Sequence, residues 1–318
     1  TYASIASLEY SRDTFSEKNK KENEFYDNID PDLKEISIQY ADAILKSPFR
    51  QNLEAKYGKH IFNLKEVEKK TFDIKIKDLL RKESDLCNKY SELIASAKIN
   101  FDGETFNLTG LGLFHTDPNR EIRKKSYKAR FKFFEQNSNK LDNLYDDLVK
   151  VRTKIAHELG YENYIELGYN KLRRTDYNAQ NVANYRKQIV DCVVPISTKL
   201  HNQRKKILNL DNLYFYDSIN FKEGDPKPKG TLQHLVLEAQ KMYKELSPET
   251  GDFFDMMVNE ELMDLENRKG KRGGGFCTAF PKYERPYIFA NFNGTDHDVT
   301  VLTHEAGHAF QVFSSRMQ

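Results

Sequence analysis

Two histidines and a glutamate near the end of the chain carry its clearest chemistry, in the order His304-Glu305-Ala306-Gly307-His308. On a helix, residues four apart lie about 40° apart around the axis and roughly one turn apart along it, so both imidazoles can reach one ion. Glu305 then stands beside the metal, not on it. From there its carboxylate can take a proton from zinc-bound water, whose pKa the metal lowers to about 7, while the same ion polarises a scissile carbonyl. His304 and His308 are the expected metal ligands, zinc the expected cofactor with one ion per complete site, and Glu305 the expected catalytic base. Such a zinc takes a third protein ligand, usually a Glu or His on a later helix about 20 to 30 residues downstream. Ten residues follow His308 and the chain opens on Thr1, so the sequence reads as a piece of a longer polypeptide with an incomplete site.

Other candidate clusters read as structure. His157-Glu158-Leu159-Gly160-Tyr161 begins like the same motif but has Tyr where the second His is needed; a helix C-terminus with Gly160 as its stop accounts for it. His60, His115, His201 and His234 are isolated and read as surface or hydrogen-bonded histidines. Asp296, His297 and Asp298 precede the motif by about two turns, some 9 to 12 Å along the axis from His304, too far to share an ion, and are expected to cap the helix. The run from Gly270 to Gly275 contains neither GxxxxGK[ST] nor GxGxxG and continues as a strand, where a phosphate loop would start a helix. Asp264 and Glu266 are expected to be solvated charges at a helix end.

The elements that must position the motif follow from periodicity. Val299, Leu302, Ala306, Ala309, Phe310 and Phe313 give its helix an apolar face, with the two histidines on a neighbouring strip. Thr295 with Asp298 is expected to cap it. Gly307 costs roughly 1 kcal/mol of helix propensity relative to Ala, which points to tight packing at that position. Upstream, Gly273 to Phe280 and Tyr287 to Phe292 read as two short strands, the second ending at the turn dipeptide Asn293-Gly294. Glycine in the first suggests that another backbone comes close there, which in a peptidase could be a substrate strand adding to a sheet edge.

Earlier in the chain the expected structure is helical. Apolar residues at helical spacing (Leu33, Ile36, Tyr40, Ile44; Leu79, Leu86, Tyr90, Leu93) mark amphipathic helices between Thr14 and about Lys98. A short hairpin is expected around Asp102-Gly103, with a domain boundary beside it: residues 1–104 an N-terminal helical domain, residues 105–318 a second domain incomplete at its C-terminus. Asp117-Pro118 is expected to open a helix through Phe134, followed by helices over Leu141 to Leu159, Tyr164 to Tyr169, Val182 to Ile207 and Leu232 to Leu246.

Composition sets the outer bounds. With 50 basic and 48 acidic residues among 318, the chain carries no global field for nucleic acid or an anionic membrane, so neither is an expected partner. No stretch approaches the roughly 20 consecutive apolar residues of a membrane span. Cys87, Cys192 and Cys277 are odd in number and in no CxxC arrangement, which reads as reduced thiols and a cytoplasmic location.

The residues also resemble a known family, the oligoendopeptidase F-like zinc peptidases of the wider thimet oligopeptidase superfamily. The resemblance rests on Val301-Leu302-Thr303 followed by His304 to His308, on Asp264 through Cys277, and on Ile288 through Gly294. Arg152 to Ala156, Leu159 to Tyr161 and Tyr177 to Arg186 extend it over nearly all of the chain. It implies a mainly α fold, a multi-helix, two-lobed zincin-type peptidase with a small β-sheet next to the HExxH helix. It further implies zinc on His304 and His308, water activation by Glu305, and a strand at Gly274, Gly275, Phe276 and Cys277 lying along the substrate backbone. The implied activity is zinc-dependent hydrolysis of short unstructured peptides, with residues 105–318 forming the peptidase domain. The family's third ligand is a Glu on a helix after the HExxH helix, and the His and Tyr residues that usually help stabilise its tetrahedral intermediate are also absent from this stretch. The alternative is a noncatalytic helical peptide-binding or scaffold protein with a vestigial HExxH.

Overall fold

The computed structural model describes residues 1–316, which are mainly helical with two small sheets. The chain divides into two compact units, each discontinuous in sequence: residues 1–23, 91–138 and 203–318 form the first, residues 24–90 and 139–202 the second. The expected boundary at residue 104 falls inside the first unit. The cause is a local core: the hairpin β1 (Ile99–Phe101) and β2 (Glu104–Phe106) turns at Asp102 and Gly103, both with positive φ, and buries Ile99 with Leu108, Leu111, Phe133 and Phe134.

In the second unit, the helices Ser138–Glu158 and Tyr164–Lys171 bury Val151, Ile155, Ala156 and Leu167 against Phe72, Ile76 and Leu86. The helix Glu17–Leu45 is present, but its apolar positions are not the buried ones: Leu33, Ile36 and Tyr40 are exposed, while Ile38 and Ala41 face inward. Periodicity located the helix; it carries two apolar stripes, and the sequence did not say which one is covered. The run expected over Val182 to Ile207 is broken by a π-helical turn at Ile189–Val193 between the helices Ala179–Gln188 and Val194–Ile207. Pro195 accounts for the break, since it has no N–H for the carbonyl four residues back and its ring crowds that position.

The first unit holds the second sheet, in the order β3 (Met263–Glu266), β5 (Arg285–Phe292), β4 (Phe276–Phe280). β4 pairs antiparallel with the central β5, and β3 runs parallel to it with an irregularity between Asp264 and Glu266. Helices Leu232–Leu246, Pro248–Asn259 and Asp296–Ser315 cover one face through Phe253, Phe254, Met257, Leu302, Ala306 and Ala309. On the other, Leu8 of the helix Tyr2–Arg12 packs with Phe280, Tyr287 and Phe289. Truncating a buried side chain such as Leu302 to Ala costs about 2–5 kcal/mol.

Two expectations change here. Asp264 is not a solvated charge at a helix end: it lies buried in β3, bonded to Arg12 at 2.9 Å, Arg268 at 2.7 Å and Lys271 at 2.8 Å. Burial alone would raise its pKa, but hydrogen bonds from Arg268 and Lys271 outweigh that and hold the carboxyl well below its usual range. The helix expected from Asp117-Pro118 starts later, at Arg120, because Asp117 accepts the Asn119 N–H in a turn of its own and Asn119 caps the helix. No helix among the described residues is long and apolar enough to cross a membrane.

Candidate metal centre

The motif helix, Asp296–Ser315, leaves the central strand through the turn Asn293-Gly294, where Gly294 adopts a φ of +84°. Thr295 occupies the cap position but its side chain does not cap; its hydroxyl donates to Asn293 Oδ1 at 2.8 Å. The buried Asp298 carboxylate reaches back to accept the N–H groups of Asn293 at 3.0 Å and Gly294 at 2.7 Å. Burial raises the pKa of Asp298, against the lowering effect of these backbone donors. Asn293 also donates to Thr109 O at 3.0 Å, and a Cβ on Gly112 would stand only 2.9 Å from its Nδ2, so a side chain at 112 would displace the start of the helix.

Beyond the cap, Leu302, Glu305, Ala306 and Ala309 are buried while His304, Gly307, His308 and Gln311 are exposed, the division expected of a half-buried helix. The two imidazoles converge: His304 Nε2 and His308 Nε2 are 3.2 Å apart, with ring planes at 85°. Two nitrogens each about 2.0–2.1 Å from one tetrahedral ion would be separated by roughly 3.3 Å, so the observed pair fits a shared zinc. Glu305 is only 8% exposed and turns from that strip toward β4. A Cβ on Gly275 would lie 3.7 Å from Glu305 Oε1 and 3.3 Å from both Phe289 O and Val301 Cγ1. Glycine at 275 therefore admits the backbone of β5 and the motif helix. Gly274 precedes it with a φ of +94°, a conformation that other residues rarely adopt.

Gly275, Phe276, Cys277, His304, Glu305, His308, Gln311 and Val312 line one open cleft of about 460 Å³. Six of the seven expected metal, catalytic and strand positions thus meet, and Gly274 stands just outside. Gln311 and Val312 were not anticipated, although they follow His308 at the helical spacing of three and four. Burial first, then the negative charge of Glu305, pushes the Cys277 thiol up to about 11. The expectation of tight packing at Gly307 does not hold, since a Cβ there would meet nothing within 4 Å. Among the described residues, no group of three or more His, Cys, Asp or Glu side chains is arranged to hold a metal ion.

In a mainly α chain, a small mixed sheet thus backs an exposed His pair and a buried Glu on one helix. Residues 113–318 match peptidase family M3 and residues 1–72 match the peptidase M3 N-terminal domain. The chain belongs to peptidase family M3. It is 26% identical over 219 residues to Oligopeptidase PepF of Bacillus subtilis, covering 64% of this chain and 30% of that protein. It is 27% identical over 212 residues to an Oligoendopeptidase F homolog of Borreliella burgdorferi, covering 64% of this chain and 34% of that one. Among solved structures, PZ peptidase A with an inhibitor superposes with a TM-score of 0.98 at 46% identity, over 99% of this chain and 56% of that one. The chain spans about a third of the length of these curated relatives and a little over half of that solved chain.

Proposed function

We propose that the protein is a zinc-dependent endopeptidase acting on short unstructured peptides, and that residues 105–318 contribute the first part of its peptidase domain. The observation that carries this reading is the pair of imidazole nitrogens 3.2 Å apart beside a buried glutamate and the end of a sheet edge. His304 and His308 would hold the zinc, which supplies Lewis acidity, lowering the pKa of a water and polarising the scissile carbonyl. Glu305 takes the proton of the attacking water on its carboxylate and passes it to the leaving amine. Its setting against Gly275 limits the solvent on one side of that carboxylate.

β4 is an edge strand of its sheet, so a peptide backbone can pair with its outer edge, with Gly274, Gly275, Phe276 and Cys277 beside it. A third protein ligand is needed to complete the set, and the longer chains of the relatives provide room for it. Cys87, Cys192 and Cys277 are in no disulfide, in keeping with a reducing cytoplasm.

The test is hydrolysis of a quenched fluorogenic peptide by the full-length protein. A zinc chelator is expected to stop it, added zinc to restore it, and Glu305→Gln to abolish it with metal retained. Hydrolysis by Glu305→Gln at the parent rate would sink the role of Glu305. The alternative is a noncatalytic helical peptide-binding or scaffold protein with a vestigial motif. Peptide binding without metal-dependent turnover would establish that reading.

A further inference from the structure

Three successive glycines, Gly273 to Gly275, lead into β4. Glycine loses more conformational freedom on folding than any other residue, and a Cβ at 273 or 274 would touch nothing within 4 Å, so this turn has no side chains of its own to fix it. Its neighbours do so. On its N-terminal side the turn is tied to the helix Tyr2–Arg12 and the residues that follow: Arg272 N–H donates to Ser11 O at 2.8 Å and Thr14 N–H to Gly270 O at 2.9 Å.

Lys271 is buried, and its ammonium lies within 3.0 Å of four oxygens: Asp264 Oδ1, Asp264 O, Glu266 O and Ala290 O. These belong to β3 and β5 at the irregularity in their ladder, so the lysine replaces bonds the two strands do not make with each other. It also lies 4.5 Å from the centre of the Phe289 ring, which stacks on Phe276 at 4.6 Å. Burial draws the Lys271 pKa down to about 8, against the hydrogen bond and charge of Asp264, so the ammonium form prevails at neutral pH.

Asn291 acts on the other end. Its Nδ2 donates to Arg272 O and to Gly274 O, both at 2.8 Å. Its Oδ1 is buried without a partner, and the opposite amide orientation would set that oxygen against two carbonyls, which fixes the assignment. The next residue, Gly275, lies against Glu305.

We infer that Asn291 and Lys271 are positioning residues: together they place the Gly273 to Gly275 turn, and through it the first residues of β4, against the Glu305 carboxylate. The inference rests on the peptidase reading above for its catalytic consequence, and on the turn itself for its structural one. Asn291 is the sharper handle, because its bonds to the turn lie near the surface and Asn291→Asp keeps its shape while removing both donors.

The experiment compares parent, Asn291→Asp, Asn291→Ala and Lys271→Arg in the full-length zinc-loaded protein. It measures kcat and KM on a quenched peptide, zinc content, and hydrogen exchange of the turn. Asn291→Asp and Asn291→Ala are both expected to lower kcat/KM roughly 10- to 100-fold, as a displacement of about 1 Å does, with unchanged zinc content. Amides from Gly273 to Thr278 are expected to exchange faster while those of the motif helix do not. Lys271→Arg is expected to follow them, because a planar guanidinium cannot fill a site built around a compact ammonium. Parental exchange and parental kcat/KM in Asn291→Asp would overturn the inference. If the parent does not hydrolyse peptide, the peptidase reading fails instead, and faster exchange in Asn291→Asp would still establish that Asn291 holds the turn.

Discussion

Two stretches of this chain begin alike, His157-Glu158-Leu159-Gly160 and His304-Glu305-Ala306-Gly307, and only the second builds a candidate site. In the first, the helix ends: Gly160 takes a φ of +85°, Tyr161 N–H reaches back to Ala156 O and Gly160 N–H to His157 O, which is a Schellman closure. The chain has turned away before the fifth position, and His157 Nε2 lies 3.0 Å from Glu162 O, bonded to the backbone of the turn. In the second, Gly307 stays helical, the helix continues to Ser315, and the fifth position delivers His308 to within 3.2 Å of His304. The same dipeptide and glycine are therefore neutral with respect to function. What decides is whether four more residues of helix follow the first histidine, and which residue then comes round.

Exchanging the fifth residues breaks the comparison most strongly. His308→Tyr removes one of two imidazoles and is expected to abolish both zinc retention and hydrolysis in the full-length protein, measured by metal analysis and peptide cleavage. Tyr161→His is expected to gain no zinc, because residue 161 lies beyond the helix end. It should cost stability instead, since the Tyr161 hydroxyl donates to Lys70 O at 3.0 Å and accepts from Asn170 at 2.9 Å, at about 1 kcal/mol per bond lost. Zinc bound by Tyr161→His would show that spacing alone makes the site.

The glutamates come next. Loss of a general base typically costs about 10²- to 10⁴-fold in rate, so Glu305→Gln should fall by that much in kcat with little change in thermal midpoint. Glu158→Gln, at the last residue of its helix, should leave kcat/KM within about twofold of the parent, as a surface change does. A shared loss in both variants would mean that the assay reads folding and not chemistry.

How far the sequence disclosed this arrangement depends on the range of the interaction. The His pair, the hairpin at Asp102-Gly103, the stop at Gly160 and the turn at Asn293-Gly294 all act within a few residues, and each was readable from spacing and turn chemistry. β3 was missed because four residues including Asp264 and Glu266 do not look like a strand until they pair with β5, more than twenty residues away. Lys271 was hidden for the same reason: in sequence it belongs to a basic, glycine-rich stretch, and only the fold brings four oxygens to its ammonium. Of the expected capping pair, Thr295 turns its side chain to Asn293 instead, while Asp298 accepts the Asn293 and Gly294 N–H groups from inside the first turn. Local signals located the His pair; what holds the carboxylate and the edge strand together came from distant pairings.

The two glycines give the finest discrimination, because the same substitution should have opposite signs. Gly160 sits at positive φ, where an L side chain crowds the following carbonyl, and Gly160→Ala is expected to destabilise its unit by about 1–2 kcal/mol. Gly307 has helical backbone and open space where a Cβ would go, so Gly307→Ala removes only the entropy of glycine and is expected to stabilise the helix by about 0.5–1 kcal/mol. Chemical denaturation of the two single variants measures both. If Gly307→Ala gains stability yet loses peptide hydrolysis with zinc still bound, the open space beside His308 is room for substrate. If it gains stability and keeps full activity, the glycine at 307 is dispensable, and the likeness of the two motifs at that position carries no function at all.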